Sequence, residues 1–537
     1  MPSVPSLSPG EAPLAGAAGP RPAAPGSDEG GLRPHLVIAA FLFIVTAAAV
    51  FAFQGDPLLS LVPLVVFGLA FLLWRTPLRY IAAALLFLSL ALDADTNGVR
   101  DRWSYPLEPL RVLFFENLHK IIPISALKLS LLDLLVALVV ALVVYRRAMA
   151  RGTDGHGVRS VNWLRMVLLL ALAGMIGALG WGVARGGVFQ QAYWQLREPI
   201  YLPILALVFL ACFKDSSDLR PIGAAVVGAA VYKSLVCIYF YQAVARQFNY
   251  RPPYVTSHTD SVLFSVAIMI ALIAWHERLE IRTRMVLLAA VPVVLLGIYT
   301  NNRRLAWVEL GVSLLVAYAL TPWTFVKRTL ARFAIIGSVF FLAYMVVGWN
   351  STAGVFRPAQ MVRSVVDAKV DRSSLDREVE NYNLVITLRT NPLLGLGLGH
   401  EYVEFTKGDD ISVAFPQYRF IPHNSVLGLV AFGGFLFFTL MWLPIVTGMY
   451  LAIRSYRLAP TPLTRAAALS VVTVLIAYEL QGWGDMGIQA WSAVFLVGVA
   501  LAVVGQLAPA VGAWPLRHRR ARAPSWGASP AAATEAP

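Results

Sequence analysis

The chain alternates long apolar runs with polar connections, and one polar connection, roughly 350–422, is far longer than the others. Many runs approach the 20 or so apolar residues that a helix needs to cross a hydrocarbon core. Only helices or closed barrels can span lipid, and continuous rather than alternating runs favour helices. The pattern therefore predicts an all-α integral membrane protein with about 14 transmembrane helices. The predicted spans are 36–53, 57–74, 78–92, 127–145, 163–184, 199–213, 220–245, 260–275, 285–300, 305–320, 333–348, 425–450, 466–482 and 489–506.

The same pattern divides the chain into five parts. Residues 1–34, rich in Pro, Ala and Gly, are expected to form a disordered cytoplasmic tail, without the basic start and early apolar core of a signal peptide. Residues 35–348 are expected to hold transmembrane helices 1–11, and 349–422 to form a large extracytoplasmic loop. Residues 423–508 hold helices 12–14, and 509–537 form a disordered, basic cytoplasmic tail.

Composition supports a membrane protein, with 58% hydrophobic and 14% charged residues. A net charge of +14 would suggest nucleic acid as a partner of a soluble protein. Here the cations cluster in short connections between apolar runs, as membrane topology requires, so we expect no nucleic-acid partner. Cys212 and Cys237 fall inside apolar runs and are expected to behave as small hydrophobes.

Cations concentrate in every second connection, which predicts the orientation of the chain. If that side is cytoplasmic, both termini are cytoplasmic and the long connection faces outward. The cations on the predicted cytoplasmic side are Arg75, Arg79, Arg146, Arg147, Arg151, Arg159, Lys214, Arg220, Arg278, Arg282, Arg284, Lys327, Arg328, Arg332, Arg454, Arg457, Arg465 and the cluster 517–522.

Arginines on the predicted outer side are candidates for binding an anion. Arg303 and Arg304 occupy a very short connection at the level of lipid headgroups, where a guanidinium can bind a phosphate bidentately. Solvated surface is the competing interpretation. Arg197 and Arg389 are further candidates for the same role.

Two features of the long connection could carry chemistry. Its segment 391–400 contains Pro392 and three alternating glycines, Gly395, Gly397 and Gly399, which permit close backbone approach. His423 and Asn424 open the next apolar run. Asn424 is suited to cap that helix, and an imidazole is suited to take a proton from an attacking hydroxyl. The competing interpretation of His423 is a polar residue at a helix boundary.

Together these features resemble the O-antigen ligase and O-antigen polymerase superfamily. The segment 299–307 resembles that family's Ser-Arg-Gly-Ala-Trp-type segment, and register with Ala306-Trp307 favours Arg304 as the match to its arginine. Residues 377–384 resemble the sequence before the family's Pro-Gly-Gly element. The resemblance covers roughly 260–440. One departure is Gly433-Gly434, where the ligases tend to show Gly-x-x-Gly after His-Asn.

The resemblance implies a GT-C-like fold and a glycosyltransferase of the bacterial inner membrane. Such an enzyme moves glycan from undecaprenyl diphosphate to a sugar hydroxyl at the periplasmic face. His423 would deprotonate the acceptor and Asn424 would orient it, while the diphosphate would bind Arg303, Arg304, Arg197 and Arg389. No cofactor or metal is expected. The implied partners are the carrier-linked glycan, a glycan or lipid A-core acceptor, membrane lipids, and chain-length regulator and flippase proteins.

Other functions stay open at this point. A polymerase of O-antigen or exopolysaccharide and a ligase to lipid A-core share this chemistry, and the altered glycine motif favours the polymerase. A polysaccharide or lipid transporter is the more distant alternative. Asp93 and Asp95 would suit a metal-dependent variant. Ionisable residues placed in or next to spans are functional candidates or snorkelling residues, namely Asp133, Lys233, His258, Asp260, Glu309 and Glu479.

Overall fold

A computed structural model describes most of the chain, and the described part confirms the all-α class. It contains sixteen helices of eight or more residues and no strand. The described residues are 32–52, 55, 60–93, 107–116, 129–150, 161–247, 254–323, 325–351, 353–356, 359, 360, 363, 372–413 and 415–514. The predicted tails, 1–34 and 509–537, lie almost entirely outside these residues.

The helices belong to two compact units, residues 1–76 and 77–537. The first unit contains α1 (Leu32–Ala52) and α2 (Val62–Arg75). The second contains α3 (Leu78–Leu92), α4 (Glu108–Phe115), α5 (Leu131–Ala150), α6 (Asn162–Ala184), α7 (Phe189–Cys212), α8 (Leu219–Phe240), α9 (Asp260–His276), α10 (Ile281–Asn301), α11 (Leu305–Leu320), α12 (Phe325–Gly348), α13 (Arg372–Thr390), α14 (Ser425–Leu458), α15 (Pro462–Gly484) and α16 (Trp491–Ala510).

Each of the fourteen predicted spans coincides with a helix, but boundaries differ and two helices were not predicted. Helix α7 begins ten residues before the predicted start at 199, because its first turns carry polar residues that nevertheless lie inside the protein, such as Gln195 and Arg197. Helices α4 and α13 are too short or too polar to register as apolar runs.

Eight of the described helices are long and apolar enough to cross a membrane. They span 162–184, 189–212, 216–245, 281–301, 327–348, 425–458, 462–484 and 491–510. By length and composition, this set is suited to a multi-pass membrane protein. Helix α12 fits a lipid-facing position, since most of its apolar side chains, including Phe340 and Val346, are exposed.

Helix α16 forms the centre of the second unit, where it packs against α7, α14 and α15. Nearly all of its side chains are buried. Helix α9 lies beside this centre and contacts α8, α10, α11 and α15. The polar residues of the candidate site lie at the ends of these helices.

The glycine segment 391–400 fills a break in α14. At Gly434 the helix adopts a φ of 59°, and the carbonyls of Ala431 and Phe432 leave the helical ladder. The N–H of Leu396 donates to the first at 3.1 Å and that of Gly397 to the second at 2.8 Å. A break in an apolar helix needs such donors, because lipid cannot supply them.

Glycine is required on both sides of this contact. Gly395, Gly397 and Gly399 all have φ between 69° and 93°, a region that side chains rarely adopt. A Cβ built at Gly182 of α6 would overlap the carbonyl of Leu398. The segment therefore serves to position the long connection against α6 and α14.

Candidate functional site

Several helix ends meet at one end of the second unit, and polar side chains gather there. Helices α9, α11, α14 and α16 begin at this end, while α10 and α15 finish there. We call it the His423 end. Such a convergence is a common location for a binding site, because helix termini leave backbone groups and loop side chains available for a ligand.

Asp485, the residue after α15, is the centre of the cluster. Its side chain is only 4% exposed and forms an ion pair with Arg303. Arg377 Nη2 lies 3.8 Å and His258 Nε2 lies 3.9 Å from its carboxylate oxygens. Burial alone would raise the pKa of Asp485, but the charges of His258, Arg303 and Arg377 outweigh burial and lower the pKa to about 2. The carboxylate is therefore ionised over the physiological range.

A tight turn separates the two candidate arginines. Asn302 ends α10 in the left-handed conformation, with φ 58°, and α11 begins at Leu305. Asparagine tolerates this conformation better than most residues do. The turn directs Arg303 inward to Asp485, with 21% of its side chain exposed, while Arg304 is exposed. Of the two arginines, the structure places Arg303 in the cluster.

Asn301 attaches a second loop to this turn. Its side-chain oxygen accepts a hydrogen bond from Val255 N at 2.8 Å, and its amide donates to Ser257 O at 3.0 Å. This loop carries His258, and also Tyr254, whose ring centroid lies 5.6 Å from the Arg303 guanidinium carbon. The buried asparagine thereby fixes an aromatic ring and an imidazole beside Arg303.

Helix α13, within the long connection, contributes one cation and one carboxylate. Arg377 and Glu380 are three residues apart, so they lie on the same face of the helix. Arg377 donates to Gly484 O at 2.8 Å and faces Asp485. Glu380 is buried and turns toward His423.

His423 is held by Glu380 through its backbone and its ring. Its N–H donates to Glu380 Oε2 at 3.0 Å, and Nδ1 lies 3.3 Å from the same oxygen. If Nδ1–H donates to this carboxylate, the neutral ring carries its lone pair on Nε2. Nε2 has no hydrogen-bond partner among the residues that the structure describes. With 28% of its side chain exposed, the ring is accessible.

The cluster combines charges of both signs. Its two guanidinium groups, Arg303 and Arg377, balance the carboxylates of Asp485 and Glu380, so an excess of positive charge requires protonation of His258 or His423. His423 also contributes to the field that acts on Asp485. A histidine oriented by a carboxylate therefore lies beside a fixed pair of cations.

The structure places the remaining candidates elsewhere. Arg197 is buried in contact with Phe115 O at 3.2 Å and lies 3.9 Å from Asp133. Arg389 is exposed on the last turn of α13, about 18 Å along the helix from Arg377 at 1.5 Å per residue. Asn424 caps α14 by accepting from Leu427 N at 3.0 Å, so orientation of His423 comes from Glu380 instead.

Most of the other ionisable candidates are engaged in contacts between helices; Glu309, for example, accepts a hydrogen bond from Ser265 Oγ at 3.1 Å. Lys233 and Asp260 form a fully buried ion pair. Asp93 accepts a hydrogen bond from Ser492 N at 2.9 Å, in the first turn of α16. Asp95 lies outside the described residues, and among those described no three His, Cys, Asp or Glu side chains form a metal-binding group.

Three central residues were not singled out from the sequence, namely Asp485, Arg377 and Glu380. Asp485 follows the last turn of an apolar helix, and a single acid at a helix end does not by itself indicate a functional site. Glu380 lies within a polar stretch among other acids, and only the helical spacing from Arg377 distinguishes it. Comparison with protein-family models and with curated proteins finds no match for this chain.

Proposed function

We propose that this chain is a membrane glycosyltransferase that moves glycan from undecaprenyl diphosphate to a sugar hydroxyl. The observation that carries the proposal is the pairing of His423 with Glu380 next to Arg303 and Arg377. A transfer from a glycosyl diphosphate needs a base for the acceptor and cations for the leaving group, and this cluster contains both.

The proposed reaction is a single displacement at the anomeric carbon. The acceptor oxygen attacks that carbon and its proton passes to Nε2 of His423. The bond from the anomeric carbon to the diphosphate oxygen breaks, and undecaprenyl diphosphate leaves with the electron pair. Arg303 and Arg377 would stabilise the charge that develops on the diphosphate, since fixed cations in a partly buried site need no reorganisation. No step is assigned to a metal.

The proposal includes an arrangement in the bacterial inner membrane. About fourteen spans, in a GT-C-like fold, would place both termini in the cytoplasm and the His423 end at the periplasmic face. The distribution of cations along the sequence supports this orientation. A carrier lipid could then reach Arg303 from the outer leaflet, with its diphosphate at headgroup depth.

Among acceptors we favour a growing O-antigen or exopolysaccharide chain, hence a polymerase. The support is the departure at Gly433-Gly434 from the ligase-type glycine spacing. Attachment to lipid A-core is the alternative with the same chemistry, and a transporter is the alternative without it.

The test is glycan analysis in cells that lack the native gene and express single variants. His423→Ala and Glu380→Gln should abolish or strongly reduce the product. His400→Ala is a matched control, because His400 lies in the same connection but contacts Gly182 O at 3.1 Å. Arg303→Gln should also strongly reduce the glycan product, whereas Arg304→Gln at the neighbouring position should retain activity.

The product pattern separates the alternatives. Accumulation of single repeat units indicates a lost polymerase, whereas carrier-linked long glycan with bare lipid A-core indicates a lost ligase. Normal glycans from His423→Ala, at wild-type protein level in the membrane, would refute the transferase and favour a transporter.

A further inference from the structure

A large apolar cavity lies in the half of the second unit away from the His423 end. Its volume is about 810 Å³, and helices α8, α9, α10, α15 and α16 form its walls. The walls use mainly the first half of α8, α10 and α15, mainly the second half of α9, and the middle of α16. Since α8, α10 and α15 begin opposite the His423 end, the cavity runs from that opposite end toward mid-depth.

The cavity has the dimensions of one bilayer leaflet. Its wall on α8 extends from Leu219 to Val231. Those twelve helical steps correspond to about 18 Å at 1.5 Å per residue. One leaflet contributes about 15 Å, half of the 30 Å hydrocarbon core. Space remains along this wall, because a Cβ at Gly223 meets nothing within 4 Å and one at Gly228 meets only Phe87 at ordinary contact distance.

The polar groups of the cavity lie mainly at its mouth, which is the end farthest from the His423 end. Arg220, Arg282 and Thr283 belong to the first turns of α8 and α10, and the deeper lining is aliphatic apart from Ser470. Arg220 and Glu280 form an exposed ion pair of 3.3 Å, with 67% and 52% of their side chains exposed. An exposed pair of this kind contributes little, so a phosphate can compete for the arginine.

We infer that this cavity is a binding site for an anionic phospholipid of the bilayer. The acyl chains occupy the apolar walls, and the headgroup phosphate contacts Arg220 and Arg282. The two arginines at the mouth suit a negatively charged headgroup. The apolar interior, about as deep as one leaflet, suits the acyl chains of the same molecule. The site is separate from the His423 cluster, so its existence does not depend on the proposed function.

The test is native mass spectrometry of the purified full-length protein titrated with phosphatidylglycerol, with phosphatidylethanolamine in parallel. Gly223→Phe fills the cavity and should reduce bound phosphatidylglycerol at least about tenfold, the effect of losing a little over 1 kcal/mol of binding free energy. Gly337→Phe is the matched control, because Gly337 lies on α12 with no atom within 4 Å of a Cβ and does not line the cavity. Ala467→Phe fills the cavity from α15 if Gly223→Phe fails to fold.

The headgroup is tested with the double variant Arg220→Gln and Arg282→Gln, which should bind phosphatidylglycerol no better than phosphatidylethanolamine. Undiminished phosphatidylglycerol binding in both cavity-filling variants would overturn the site. Equal binding of the two lipids by the wild type would overturn the anionic headgroup. Complete displacement of phosphatidylglycerol by undecaprenyl phosphate at equal concentration would reassign the cavity to the carrier lipid.

Discussion

Replacing Asp485 by asparagine should destabilise the protein measurably, because this carboxylate joins three elements of the site. Its pKa lies at about 2 instead of the ordinary 3.8. A change of one pKa unit corresponds to about 1.4 kcal/mol, so the lowered pKa of Asp485 corresponds to about 2 kcal/mol of stabilisation near neutral pH. Asp485→Asn removes this contribution and also leaves Arg303 and Arg377 facing each other without a counter-charge.

The assay is unfolding of the purified protein by titration with a denaturing detergent. We expect Asp485→Asn to lower the free energy of unfolding by about 2 kcal/mol. Combination with Arg303→Gln should cost less than the sum of the single changes, because the two residues form one ion pair. Asp410→Asn is the matched control at an exposed loop acid that accepts a hydrogen bond from Ser412 N at 2.9 Å, and should change the free energy of unfolding much less.

The pH dependence has a definite sign. A folded-state pKa below the ordinary value means that the stabilisation is complete above about pH 4 and is lost as pH falls from about 4 to about 2. The difference between wild type and Asp485→Asn should therefore be present at every pH from 7 to 5 and should narrow in stronger acid. Equal stability of the two proteins at pH 7, or strictly additive effects with Arg303→Gln, would refute this account of the cluster.

Three further predictions concern the packing that supports the site. Gly182→Ala should disrupt the fit of the glycine segment and cost several kcal/mol, whereas Gly180→Ala, with free space around its Cβ, should be tolerated; unfolding titration of both variants checks this. Asn424→Ala should lose about 1 kcal/mol of helix capping in the same assay, and a stability equal to wild type would show that the cap is dispensable. Lys233→Met should cost about 3–5 kcal/mol by leaving Asp260 buried and unpaired, with partial recovery expected in the double change with Asp260→Leu.

The helical framework could be predicted from the sequence because hydropathy reports the membrane environment directly. Helices α3 and α11 match the predicted spans 78–92 and 305–320 at both ends. The start of α7 could not be predicted, since a buried Gln195 reads as polar until its partners are known, Phe420 O at 2.6 Å and the N–H of Gly399 at 2.6 Å. Periodicity describes which face of a helix is apolar, but it does not identify the partner of a buried polar group.

The candidate site was only partly predictable for the same physical reason. His423 and Arg303 stand at ends of apolar runs, where a polar residue is conspicuous. Arg377 and Glu380 lie in a polar helix whose sequence does not distinguish them from its other charged residues. Their spacing of three residues nevertheless places both on one face of the helix, where Arg377 contacts Asp485 and Glu380 contacts His423.

Helix α13 therefore gives the long connection a role that its length alone does not explain. One of its faces holds Glu380 against His423 and Arg377 against Asp485, so it joins the start of α14 to the end of α15. Among the described residues, α13 is the helix whose side chains form ion pairs both with the His423 imidazole and with Asp485. Any motion of α13 would change the orientation of the imidazole and the charge balance at Asp485 together, which couples the proposed base to the proposed diphosphate site.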